Sequence, residues 1–162
     1  ITVHDRTVVD AALTESERTG GPAAALELPD GSIVTGKTSD LLGACSALLL
    51  NALKELAGIG HEIKIISPQA IEPIQSLKTK YQGSRNPRLQ TDEVLIALSV
   101  SAATSEDARL AMEQLPKLKG CQAHVSVMPG SVDIKQFKLL SVQATFEAKY
   151  EKNSVFFNNK GV

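Results

Sequence analysis

Apolar and polar positions along this chain follow two rhythms, one helical and one alternating, and the longest apolar stretch sets the frame for both. In residues 41–58 the apolar set Leu41, Leu42, Cys45, Leu48, Leu49, Leu50, Leu53 and Leu56 leaves only a polar stripe through Asp40, Asn51, Lys54 and Glu55. That stripe spans roughly 100° at 3.6 residues per turn. The pattern predicts a helix enclosed on several sides and opened by Gly36-Lys37-Thr38-Ser39-Asp40. Upstream, residues 5–19 place Val8, Val9, Ala12 and Leu13 at helical spacing and stop at Gly20-Gly21. Residues 23–28 and 32–35 read as two strands joined at Pro29-Asp30-Gly31, an antiparallel hairpin feeding the apolar helix.

Downstream, residues 62–66 read as a buried strand, and Ser67-Pro68 starts a weaker helix interrupted by Pro73 and ending near Gly83. A polar loop follows at 84–89. The run Val94-Leu95-Ile96-Ala97-Leu98-Ser99-Val100 is continuously apolar, which predicts a strand in the middle of a sheet, covered on both faces. Ser105-Glu106-Asp107 opens a helix to about Lys119, with Gly120 after it. A strand is expected at 123–128. Pro129-Gly130-Ser131 opens a short helix carrying Val132, Ile134, Phe137 and Leu140, and an edge strand is expected at 142–147. The order predicts an α/β class: a three-layer α/β/α sandwich whose mixed sheet has an N-terminal antiparallel hairpin and later parallel strands. A single domain is expected over 1–148, with a polar tail at 149–162, part of it disordered or docked on another chain.

Composition narrows the partners. The 162 residues suffice for one full core, and no Pro/Gly/Ser-rich linker divides them. Formal net charge is −1 and aromatics are 4% with no Trp, so neither nucleic acid nor an anionic membrane is favoured. No apolar run reaches spanning length, and no signal-peptide pattern opens the chain. The chain starts at Ile1, so a piece of a longer protein is expected. Cys45 and Cys121 read as buried free thiols of a cytoplasmic protein, although a disulfide between them is also compatible with the sequence.

The candidate chemistry centres on anions. Gly31-Ser-Ile-Val-Thr-Gly36-Lys37-Thr38 matches G-x-x-x-x-G-K-[ST] letter for letter. A phosphate loop must wrap its backbone N–H groups around the ligand, whereas 32–35 is β-branched and follows a hairpin turn, so a triphosphate site is rejected. Lys37, Thr38 and Ser39 remain candidates for a phosphate or carboxylate at the helix start, against the plainer reading of a helix cap and a solvated lysine. The loop residues Ser84, Arg85, Asn86 and Arg88 are the second set, able to grip an anion in bidentate fashion or to pair with Asp92, Glu93 or another subunit. His4, His61 and His124 are scattered, H-E-x-x-H fails because position 65 is Ile65, and no C-x-x-C occurs, so no metal or other cofactor is expected. The hairpin, the apolar helix bearing Cys45 and the strand ending at Ser67-Pro68 are similar in layout to the cytidine-deaminase framework. The catalytic Glu and the cysteine pair of that framework are missing: Ser46-Ala47 follows Cys45, and Gln69-Ala70-Ile71-Glu72 follows Pro68.

Several strings in order carry a resemblance to a known family. Thr19-Gly-Gly-Pro-Ala, Glu27-Leu-Pro-Asp-Gly, Ile33-Val-Thr-Gly-Lys, Pro73-Ile-Gln-Ser-Leu-Lys and Gly83-Ser-Arg-Asn-Pro-Arg-Leu, then Glu93-Val-Leu-Ile-Ala-Leu, resemble the C-terminal domain of a bacterial family of functionally uncharacterised proteins. The match runs from about Glu15 to Phe146, with the tail matching poorly. The resemblance implies that members are several times longer, and that a better phosphate-loop-like string lies in the upstream part. Some members carry labels such as ATP-dependent peptidase or zinc protease, and these residues support neither. It supplies no catalytic residues.

Two functional expectations follow. The first is a non-catalytic interaction and assembly module, partnered by the rest of its own polypeptide and by copies of itself in a homo-oligomer, with a small anionic ligand as a further partner. The alternative is part of an enzyme active site for a phosphate- or carboxylate-bearing substrate, with any nucleotide chemistry upstream. They differ in whether Lys37 and Arg85 or Arg88 converge on one pocket or are engaged in internal pairs.

Overall fold

The structure is a computed structural model and describes residues 7–149. Its elements in chain order are α1 (Thr7–Thr19), β1 (Ala23–Glu27), β2 (Ile33–Lys37), α2 (Ala44–Ala57), α3 (Pro68–Ser76), α4 (Thr91–Ser101), α5 (Glu106–Met112), β3 (Gln122–Val125), α6 (Ser131–Leu139) and β4 (Gln143–Phe146). Leu77–Tyr81 widens the end of α3 into a π turn, closed by the N–H of Gln82 on the carbonyl of Leu77 at 3.0 Å. A 3₁₀ turn, Leu115–Leu118, follows α5.

The four strands form one mixed sheet in the order β2-β1-β3-β4. β1 is antiparallel to β2 and to β3, and only the β3–β4 pair is parallel. Helices lie on both faces, because β1 alternates between two partners. Ala24 and Leu26 join the large core under α2, while Ala25 packs with Val8 and Ala12 of α1. The fold is the α/β sandwich expected from the element order.

Around the hairpin the expected and observed elements agree. Ser32 donates its N–H to Asp30 Oδ1 (2.9 Å), and Gly31 takes φ +88 to close the turn. α2 is enclosed as the leucine pattern requires: Leu48, Leu49 and Leu53 are fully buried. It starts at Ala44 with Gly43 as N-cap, three residues later than residue 41, and ends at Gly58 in the left-handed region (φ 73). Leu42 instead forms an isolated parallel bridge with Leu89.

Three expectations are corrected. The run at 94–100 is not a central strand but the body of α4. A continuous apolar run fits a buried strand or a buried helix equally by periodicity. The deciding signals are acids in the first turn (Asp92, Glu93) and the Glu93 carboxylate accepting the N–H of Gln90 at 2.8 Å, half of a capping box. Residues 62–66 form no strand: Glu62, Ile63 and Lys64 are exposed in sequence while Ile65 and Ile66 are both buried, so the alternation a sheet demands is absent. Without those two strands the parallel part of the sheet is reduced to one pair, β3 and β4, joined by the crossover through α6. The layout expected to match the deaminases likewise lacks its strand before Pro68. Pro73 does not interrupt α3, since it and Gln69, the residue four positions back, both lie on the exposed side. The tail from residue 150 onward and the start of the first helix before Thr7 lie outside the described residues.

Candidate functional site

The two expected anion-binding segments run side by side. Leu89 donates its N–H to the carbonyl of Leu41 (3.0 Å), Gly43 donates to the carbonyl of Leu89 (3.3 Å), and Ser46 Oγ donates to the same carbonyl (2.8 Å). This seam joins 39–43 to 86–90 at the start of α2. Arg88 Nε reaches across it to the carbonyl of Ser39 at 2.5 Å. Ser39 Oγ faces the backbone of its own turn, accepting from the N–H groups of Leu41 (3.3 Å) and Leu42 (3.2 Å).

The loop itself is held by short-range bonds of the kind that make Asx and Ser turns. Ser84 Oγ accepts the N–H of Asn86 (3.1 Å), and Asn86 Oδ1 accepts the N–H of Arg88 (3.1 Å). Beneath it lies a group the sequence pattern had not singled out. Lys78, in the π turn and 8% exposed at its side chain, donates Nζ to the carbonyl of Arg88 (2.5 Å) and to the carboxylate of Glu93 (2.9 Å). Glu93 therefore serves the α4 start and the lysine together.

A second carboxylate occupies the meeting point of α4 and α6. Asp133 Oδ1 accepts the N–H (3.0 Å) and the hydroxyl (2.7 Å) of Thr91. Burial pushes the Asp133 carboxyl above its ordinary range, the Thr91 bonds oppose that shift, and nearby Asp92 and Glu93 add to it. Burial also raises the Cys45 thiol well above its usual value, with the Asp133 charge contributing. Helix N-termini attract negative charge, and here α4 and α6 already receive it from Asp133 and Glu93.

The remaining candidates stand apart. Thr38 is half-buried and donates its N–H to the carbonyl of Pro22 (3.1 Å). Lys37 is exposed opposite Ala23, in register with the side of the sheet that carries α1, where its charge helps lower the Glu15 carboxyl behind the larger effect of Arg18. Arg85 is exposed as well, and neither cation makes a side-chain hydrogen bond or ion pair among the described residues. Lys37 through Ser39 do not form the first turn of α2, which begins beyond them.

Gly36 has a different employment from the one its motif suggests. A Cβ built there would lie 2.3 Å from Leu48 N, 2.6 Å from Leu48 Cα and 2.8 Å from the Ala44 carbonyl oxygen. It is the point where the backbone of α2 touches strand β2.

An open cleft of about 300 Å³ lies elsewhere, lined by Glu27, Leu28, Pro29, Lys119, Gly120, Cys121 and Gln122. None of the seven candidates faces it. Burial and then Glu27 raise the Cys121 thiol, which makes it a poor nucleophile. On the α1 side of the sheet, buried His124 has both ring nitrogens partnered, Nδ1 with Thr145 Oγ1 and Nε2 with Glu147 Oε2, each at 2.7 Å. The trio braces β3 against β4, and only their strand register brings the three residues together. Among the described residues no three His, Cys, Asp or Glu side chains are grouped to hold a metal, and no helix is long and apolar enough to cross a membrane.

With this geometry in place, comparison with known proteins decides the family. The family model described as "Domain of unknown function DUF1846, C-terminal" matches residues 4–156. The chain belongs to that family. The DUF1846 C-terminal domain is similar to the UPF0371 protein of Corynebacterium glutamicum (strain R), 57% identical over 96% of this chain and 31% of that protein. It is also similar to the UPF0371 proteins of Corynebacterium diphtheriae, 54% identical over 96% of this chain and 31% of the relative, and of Streptococcus thermophilus (strain CNRZ 1066), 47% over 96% and 32%. The chain thus spans about a third of the length of these relatives.

Proposed function

We propose that the DUF1846 C-terminal domain is a non-catalytic assembly module of a longer, cytoplasmic UPF0371-type polypeptide, packing on the rest of that chain and on further copies in a homo-oligomer. One observation carries this reading: the polar groups best placed to catch an anion are engaged in the domain's own backbone. Arg88 holds Ser39, Asn86 and Ser84 hold their loop, and Lys78 neutralises Glu93. Two free buried thiols suit a reducing compartment. The competing reading, part of an enzyme site for an anionic substrate, is favoured only by Lys37 and Arg85, which have no side-chain partner among the described residues.

Ligand-induced thermal shift on the full-length protein tests the choice. A ligand that binds the folded state stabilises it with the logarithm of its concentration over Kd. Phosphate, sulfate and ATP are titrated against the wild type and a Lys37→Ala/Arg85→Ala variant. The module reading expects any response to be the same in both proteins. A response present in the wild type and lost in the variant would place an anion site in this domain and overturn the reading.

A further inference from the structure

α4 differs from the other surface helices in what it shows to solvent. Ile96 and Val100, one turn apart, are 61% and 68% exposed, and Ser99 and Ala103 beside them are exposed too. From Val94 to Ser105 the chain carries no charged residue. By contrast α1 shows the Glu15–Arg18 pair, and α5 shows Arg109 paired with Glu106 and Glu113. α6, packed beside α4, also exposes Leu139. Beyond its first turn α4 exposes only Ile96, Ser99 and Val100 to solvent, and a helix with so little polar surface is normally covered on more than one side. The inner side of α4 is covered, with Val94, Ala97 and Leu98 meeting the core, and among the described residues Ile96 and Val100 on its outer side stay exposed.

We infer that the outer face of α4, centred on Ile96 and Val100, is the seat of the remaining two thirds of the UPF0371-type polypeptide. This rests on the module reading and names the surface it uses. Area selects the occupant. Eleven residues at 1.5 Å rise and about 10 Å width give roughly 150–200 Å² of face, while a free-standing specific interface needs about 800 Å² per partner. A covalently attached partner needs far less, since tethering supplies a millimolar effective concentration. The relatives' additional length is the attached material: this chain covers 31% of the Corynebacterium glutamicum protein. The seat calls for an uncharged apolar patch, because a charge brought against Ile96 and Val100 would be desolvated without a partner.

Hydroxyl-radical footprinting of the full-length protein provides the test, with Tyr81, 80% exposed on the π turn, as the internal standard. Labelling is normalised for intrinsic side-chain reactivity. The inference expects Tyr81 to be oxidised while labelling of Ile96 and Val100 is lost, at every protein concentration. Equal labelling of all three overturns it. Protection that disappears on dilution overturns it in favour of a second copy as occupant. Protection that disappears when the chain is ended after Lys149 overturns it in favour of the segment 150–162. Protection of Leu77 and Tyr81 with Ile96 and Val100 labelled overturns the surface assignment alone, leaving the module reading intact. The expected protection extends to Leu139 on the neighbouring α6, and an Ile96→Lys/Val100→Lys variant, altered only at exposed positions, is expected to restore labelling there and at the docking partner. Unchanged labelling there overturns the inference.

Discussion

Replacing Gly36 with alanine isolates the contact on which the α2–sheet layer rests. The added Cβ would meet Leu48 N at 2.3 Å, Leu48 Cα at 2.6 Å and the Ala44 carbonyl at 2.8 Å, all backbone atoms of α2. No rotamer change relieves a clash with backbone, so α2 itself must retreat by about 1 Å to reach an ordinary separation of about 3.5 Å. Leu48, Leu49 and Leu53, fully buried on that helix, retreat with it. A gap of that size forfeits about a quarter to a half of each dispersion contact it opens. Added to a typical overpacking cost of about 1–3 kcal/mol, this gives an expected loss of about 3–4 kcal/mol. The lower entropy of an unfolded alanine chain returns about 0.4–1 kcal/mol. A net loss near 3 kcal/mol is a large share of the roughly 5–15 kcal/mol that holds a domain folded.

Urea unfolding followed by far-UV circular dichroism measures this as a lower midpoint at an unchanged m-value. Gly21→Ala is the matched control, since no atom lies within 4 Å of its Cβ and its φ is ordinary. It is expected to leave the midpoint in place or raise it slightly. Equal midpoints for the two variants would refute the close-approach argument. They would also reopen the phosphate-loop reading of Gly31 to Thr38, in which glycine serves a ligand rather than a helix.

Three further outcomes follow from the same contacts. Lys78→Met leaves the Glu93 carboxylate half-buried without its cation and is expected to cost about 2–4 kcal/mol, less than a fully buried pair because Glu93 is partly solvated; adding Glu93→Gln should recover part of this in a double-mutant cycle. Asp133 has a folded-state pKa raised by burial, so its contribution is full below the unfolded pKa and is lost as pH rises through the folded one. Asp133→Asn keeps an acceptor for Thr91 but does not titrate, so its Tm relative to wild type should improve from pH 4 to pH 8. Cys45 and Cys121 are buried with raised pKa values, and a disulfide reagent such as DTNB should label neither in the native protein and both after denaturation.

The hairpin and α2 were legible because local chemistry and packing agree there. Pro29-Asp30-Gly31 demands a turn whatever surrounds it, and eight apolar residues on one helical pattern demand cover. The α2 boundary was not legible, because Leu41 and Leu42 fit the helical stripe but gain more from the seam with Leu89. That seam is a tertiary choice made 47 residues away, between Leu42 and Leu89. The site was legible only in part for the same reason. The sequence brings out Arg88 and Ser39 as polar loop residues, but their pairing depends on the two segments lying side by side. Lys78 carries no signal of its own in the sequence, and only the π turn places it beneath the loop. His124, Thr145 and Glu147 become neighbours solely through the β3–β4 register.

Residues 94–100 are helical although their continuous apolar run fits an internal strand equally well. A continuous apolar run reports how many sides of a segment are covered, since each exposed apolar side chain forgoes burial worth about 1.5–3 kcal/mol. It does not report whether the covered backbone is extended or helical. A strand inside a sheet has two covered faces, and so does a helix clasped between two bodies. α4 is helical because Asp92, Glu93 and the bond from Gln90 start it as a helix. On the docking proposal made above, the double-sided cover that its composition calls for is a core on one side and the rest of the polypeptide on the other. The feature that made α4 resemble an internal strand is the same feature that marks Ile96 and Val100 as a seat.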